Sequence, residues 1–123
     1  MRRSKLATGH DLYSIEALSI PANNRALIRT GLAIALPQVT YGRIAPRSSL
    51  ATKLITVDAG VVDEDYGGEL KVLLVNNSKM DYKVQKGDHI AQLIVERKDN
   101  QEWQEVEDLE ETERAKKDLV VLV

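Results

Sequence analysis

Arg25-Ala26-Leu27-Ile28-Arg29-Thr30-Gly31-Leu32-Ala33-Ile34-Ala35-Leu36-Pro37 is the stretch on which the fold turns. Ala26 and Ile28 alternate with Arg25 and Arg29 up to Gly31, and an apolar run then leads into Pro37. A period of two, a glycine and a proline stop predict a strand, a kink and a second strand. Outward from it, Leu70 to Val75 is a short apolar run closed by Asn76 and Asn77, and Ile90 to Val95 is another, entered through the turn Lys86-Gly87-Asp88. Both are too short and too rich in β-branched residues for convincing helices. Turn residues punctuate the chain at fairly even intervals, with no internal repeat and no low-complexity linker, which predicts an all-β sandwich or barrel. Asn100 to Lys117 differs, because Trp103, Val106 and Leu109 recur every third residue among acidic side chains. On periodicity alone an exposed amphipathic helix stays open there.

The 123 residues suit one domain, since two would each be too small to bury a core. No apolar run approaches the roughly 20 residues of a membrane span, and the basic start, Met1 to Leu6, lacks the apolar stretch of a signal peptide. No membrane association is expected, and cytosol or nucleus is the default location. With no cysteine there is neither a disulfide framework nor a thiolate zinc site. A net charge of −2 supplies no basic footprint for nucleic acid, so phosphate chemistry would have to come from a local site.

Four segments combine glycine, charge and hydroxyl beyond what packing requires. Gly9-His10-Asp11-Leu12-Tyr13-Ser14, taken alone, is a glycine turn with an exposed acid. Ala45-Pro46-Arg47-Ser48-Ser49-Leu50-Ala51 presents a guanidinium fork, two hydroxyls and successive amides, a set suited to a polyphosphate. Its plain alternative is a capped turn in which Ser48 or Ser49 starts a short helix. The most informative segment runs from Asp58 to Leu70, where Asp63, Glu64 and Asp65 concentrate charge before Tyr66, Gly67 and Gly68. A solvated hairpin loop with a surface tyrosine is the plain alternative. Chemically, a carboxylate there would take a proton from an attacking water, and glycine backbone would let a ligand approach closely. In Gly87 to Ile94, His89 makes a poor metal ligand, because His10 is the only other histidine.

In this order and spacing the four segments resemble the first four motifs of the trimeric dUTP pyrophosphatase (dUTPase) family, over Leu6 to Arg114. The resemblance implies a distorted jelly-roll β-barrel, a homotrimer with sites at subunit interfaces, and hydrolysis of dUTP to dUMP and pyrophosphate with Mg2+. It divides the single domain into a barrel core (1–99), an extended C-terminal arm (100–117) reaching a neighbouring subunit, and a tail (118–123). Asp63 matches the carboxylate that orients and deprotonates the attacking water. Tyr66 matches the ring against deoxyribose that excludes a 2′-hydroxyl, and backbone around Gly60 and Lys71 matches the surface facing the uracil edge. Arg47, Ser48 and Gln92 match phosphate contacts, with Ser49 beside them, and Asp11 matches the acid that supports the magnesium waters.

Several positions depart from the family pattern. Ser49 stands where glycine is usual, Gly67 replaces a common Arg or Gln, and His89 a common Arg. The ending departs most. Relatives close with Gly-Phe-Gly-Ser-Thr-Gly, whose phenyl ring stacks on uracil. Here Glu111-Thr112-Glu113-Arg114 matches the approach, Arg114 matching a phosphate-contacting arginine, but neither glycine nor phenylalanine follows. The codons GGA TTT GGT AGT ACT GGT encode that motif, and without the first G they read Asp-Leu-Val-Val-Leu-Val, the sequence of residues 118 to 123. The tail is therefore expected to be the fifth motif read after a one-nucleotide shift, and the activity to be impaired. A dUTP-binding or regulatory trimer with negligible turnover is the alternative. A dCTP deaminase shares the fold, but the Asp63 and Tyr66 arrangement argues against it.

Overall fold

The computed structural model describes residues 8–100, 102–106 and 121–122. Its strands are β1 (His10–Tyr13), β2 (Leu18–Ile20), β3 (Asn24–Arg29), β4 (Thr40–Pro46), β5 (Ile55–Asp58), β6 (Val61–Val62), β7 (Lys71–Asn76), β8 (Tyr82–Val84), β9 (His89–Arg97), β10 (Glu105–Val106) and β11 (Val121–Leu122). One helical turn, α1 (Ser48–Ala51), follows β4. Antiparallel pairing gives a four-stranded sheet β1-β9-β4-β6, a three-stranded sheet β3-β7-β5, and the pairs β2-β8 and β10-β11. The ladders leave the barrel open, and the jelly-roll character lies in two sheets facing one core.

Alternation explains which faces meet. On β7, Val72, Leu74 and Asn76 point inward while Lys71, Leu73 and Val75 point out. From β9, Ile90, Ala91 and Leu93 join Ile44 of β4 and Ile28 of β3 in a single apolar cluster drawn from both sheets. Gly42 lets β6 and β9 close on β4, since a Cβ there would stand 3.1 Å from Leu93 and 3.2 Å from Val62. Buried Asn76 is fully satisfied: its amide donates to the carbonyls of Ile20, Pro21 and Met80, and its oxygen accepts from Ser78.

One expectation changes, and two alternatives left open by the sequence are narrowed. The first half of the Arg25–Pro37 stretch is β3 and the kink is Gly31 at φ 71°, but residues 31–37 form no strand. Only isolated bonds hold that part, with Leu70 N–H donating to Leu32 O and Thr30 N–H to Leu70 O, and Leu32 stays 45% exposed. A strand needs a partner ladder, and alternation alone does not supply one. Second, β6 pairs with β4 whereas β7 pairs with β3 and β5, so residues 63–70 cross between sheets instead of forming a hairpin. Third, in the 100–117 segment residues 102–104 are irregular and 105–106 are strand, so the described part holds no helix. Residues 107–120 lie outside the described residues.

Candidate active site

Gly60, Tyr66 and Lys71 line one cleft of about 420 Å³, walled by apolar Leu27, Val57, Val61 and Leu73. The turn after β5 forms it by holding Ala59 (φ 57°) and Gly60 (φ 99°) in the left-handed region. Gly60 carbonyl accepts a 2.7 Å hydrogen bond from Ile44 N–H, and a Cβ on Gly60 would stand 2.7 Å from Ile44 O. Glycine is required there on both counts, sterics and φ. Gly60→Ala is accordingly expected to lower stability by about 1 to 3 kcal/mol. Denaturant melts of the two proteins check it.

Asp63 opens the loop that leaves β6, is exposed, and accepts Tyr66 N–H at its carbonyl (3.0 Å). The neighbouring Glu64 pins this turn: its Oε1 accepts Val39 N–H (3.2 Å) and lies 3.1 Å from Lys98 Nζ, while Lys98 N–H donates to Val39 O (3.1 Å). Lys98 also brings a positive charge to the recess it lines with Asp63, Glu64 and Asp65.

The other group collects where β1, β4 and β9 meet. Asp11 pairs with Gln92 and Gln92 with Ala45, which sets Asp11, Gln92 and the approach to Arg47 side by side. Asp11 is only 8% exposed; its Oδ2 accepts the Tyr13 hydroxyl (3.2 Å) and its Oδ1 lies 3.1 Å from His89 Nε2. The Tyr13 hydroxyl is held above the usual phenol value, first by desolvation and then by its bond to Asp11. Gln92 donates to Pro46 O (3.2 Å), and Gly9 makes room for it, since a Cβ on Gly9 would overlap the Gln92 amide oxygen. Arg47 donates to His89 O (3.3 Å) and is the N-cap of α1, so neither Ser48 nor Ser49 caps the turn. Both serines are exposed in the first turn, where backbone N–H groups lack intrahelical partners.

The two groups do not meet within one chain. Val62 sits opposite Gly42 on β4, and Arg47 is five residues further along, about 17 Å at strand rise. Asp63 continues away from Arg47, because β6 runs antiparallel to β4. The structure therefore brings Gly60, Tyr66 and Lys71 into one cleft, with Asp63 in a neighbouring recess and tied to Tyr66 through its backbone carbonyl, and sets Asp11 and Gln92 beside the approach to Arg47, Ser48 and Ser49. Arg114 lies outside the described residues. Sequence reasoning missed Tyr13 and His89 as partners of Asp11, the wall formed by Leu27, Val57 and Leu73, and Glu69. Tyr13 reaches Asp11 from two residues along β1, whereas no local pattern flags His89, the wall or Glu69, because each gains a partner from a strand or loop distant in sequence.

Among the described residues no cluster of three or more His, Asp or Glu side chains is placed to cage a metal ion. Asp11 nevertheless suits an outer role, since an ionised carboxylate offers about four acceptor positions and its two contacts leave room for a metal-bound water.

The family model described as dUTPase matches residues 1–119. The chain is 50% identical over 114 residues to the deoxyuridine 5'-triphosphate nucleotidohydrolase of Candida albicans, covering 90% of this chain and 72% of that one. It is 47% identical over 113 residues to the vaccinia virus (strain Copenhagen) protein of the same name, covering 92% and 77%. Its fold matches a point mutant of the dUTPase from phage phi11 of S. aureus with a TM-score of 0.82 at 24% identity, over 89% of this chain and 90% of that one; that protein coordinates a structural Mg(II) ion.

Proposed function

The chain belongs to the dUTPase family, and from that premise we propose that it hydrolyses dUTP to dUMP and pyrophosphate with magnesium. The observation that carries this is the Gly60–Tyr66–Lys71 cleft, which Asp58 also lines, with Asp63 in the next loop and joined to Tyr66 by the bond from Tyr66 N–H to its carbonyl. Uracil enters the cleft against the apolar wall. Because the Gly60 carbonyl already accepts Ile44 N–H, the Gly60 N–H is the group that reads a uracil oxygen. Tyr66 packs on the deoxyribose and leaves no space for a 2′-hydroxyl. Asp63 accepts the proton of the water that attacks the α-phosphorus, and the bond to the pyrophosphate oxygen breaks.

Arg47, Ser48, Ser49, Gln92 and Arg114 bind the phosphates in this reading. The Arg47 group comes from another copy of the chain, which the separation of about 17 Å along β4 supports. Hence the site is shared, and the assembly is a homotrimer as the family resemblance implies. Asp11 would hold magnesium through bound waters, and the ion would supply Lewis-acid and template chemistry at the triphosphate. The test is incubation of the full chain with magnesium and dUTP, UTP or dTTP, measuring pyrophosphate and binding. Pyrophosphate and dUMP are expected from dUTP, with weaker binding of the other two. Equal affinity for UTP and dUTP, or binding without pyrophosphate release, would overturn the reading.

A further inference from the structure

The Tyr66 ring is not free to choose its position. Its hydroxyl donates to Glu69 O at 2.8 Å, and the ring lies on Gly68, where a Cβ would stand 2.8 Å from the hydroxyl and 2.9 Å from Cζ. Through the Glu69 carbonyl the ring is tied to a second network on the other side of the backbone. The Glu69 carboxylate accepts Gly31 N–H (3.0 Å) and the Arg29 Nε–H (3.1 Å to each oxygen). Gly31 is left-handed and lies two residues beyond the end of β3, so its N–H is outside the ladder and is taken by this side chain. The next residue is fastened as well, Leu70 N–H donating to Leu32 O (2.7 Å) and Leu70 O accepting the Thr30 hydroxyl (2.7 Å). Gly31 N–H first, and Arg29 after it, hold the Glu69 carboxyl below the usual carboxylate range, so it is ionised at neutral pH.

We propose that Glu69 is the positioning residue for sugar discrimination: its carboxylate, clasped by Gly31 N–H and Arg29, fixes the carbonyl that holds the Tyr66 hydroxyl and so sets how closely the ring approaches the 2′ position. The inference rests on the reading of Tyr66 as the ring against deoxyribose. Glu69 itself does not line the cleft. Loosening the carbonyl lets the ring swing on Gly68 and opens space for a 2′-hydroxyl, so UTP gains more than dUTP loses. Gly67, where an added Cβ would meet nothing within 4 Å, gives the loop no packing of its own to replace the anchor.

The test compares kcat and KM for dUTP and UTP in the purified, assembled full chain and in Glu69→Ala, Glu69→Gln, Tyr66→Phe, Tyr66→Ala and the Glu69→Ala/Tyr66→Phe double variant. Glu69→Ala is expected to reduce the dUTP preference about tenfold, the scale of one orienting hydrogen bond, mainly through a lower KM for UTP. Glu69→Gln keeps an oxygen for Gly31 N–H and should retain most of the preference. Tyr66→Phe should match Glu69→Ala, and the double variant should be no worse than either, because both cut the same link. If Glu69→Ala fails to assemble, Arg29→Met takes its place, with a drop of about twofold expected for an exposed pair. A loss in Tyr66→Ala with no change in Glu69→Ala, or additive losses in the double variant, overturns the anchor while leaving Tyr66 as the sugar ring. An unchanged preference in Tyr66→Ala overturns both.

Discussion

Asp63→Asn is expected to lower kcat for dUTP by about 10² to 10⁴-fold, the usual loss when a general base is removed, with assembly and nucleotide binding largely kept. The amide matches the carboxylate in shape but does not take the proton of the attacking water. Folding should tolerate the change, because Asp63 is exposed and its described structural bond is made by its backbone carbonyl to Tyr66 N–H. Glu64, which does pin the loop, is untouched. Pyrophosphate release at saturating dUTP and magnesium, beside a binding titration and a thermal melt, separates the effects. If Asp63→Asn turns over dUTP as fast as the parent, the base is another group.

The second large effect is a gain. Replacing residues 118 to 123 with Gly-Phe-Gly-Ser-Thr-Gly is expected to raise turnover at least about tenfold, since one preorganised donor to developing charge is commonly worth about 10² to 10³-fold. The present tail offers no aromatic ring, forgoing a base-stacking contribution of roughly 1 to 3 kcal/mol, and its Asp118 brings a carboxylate to a segment that needs donors to cover a triphosphate. Its Leu and Val side chains are bulky or stiff at χ1, whereas glycines let a chain bend closely over a ligand. The structure adds one fact: β11 pairs with β10, Val121 opposite Val106 and Leu122 opposite Glu105, so this end folds back on its own chain. A glycine-rich replacement weakens that pairing as well. Turnover is compared in assemblies of matched stability. An unchanged rate after repair would show that the tail does not limit the enzyme and would turn attention to Ser49 or Gly67.

Glycine and charge placement marked candidate residues along the sequence, as Gly60 illustrates. A glycine beside an acidic turn reads as a close backbone approach, and its φ together with its contact to Ile44 O explains why a side chain does not fit there. Strand identity was legible in β3 from a period of two, and in β7 and β9 from short apolar runs rich in β-branched residues, each backed by a ladder. It failed at Leu32 to Leu36, where the apolar run has no ladder partner within the described residues.

By itself, then, the sequence determined the all-β class and the buried face of β3, and offered Asp63, Tyr66, Arg47 and Gln92 as candidate chemical groups. These follow from side-chain type and a period of two, which are local properties. Only the tertiary structure decided that residues 63–70 cross between sheets, that Asp63 and Arg47 of one chain lie apart along β4, and that the Glu69 held by Gly31 and Arg29 also holds Tyr66. Those facts depend on which strand pairs with which, and that is set by the joint burial of residues far apart in sequence, not by any pattern readable along it.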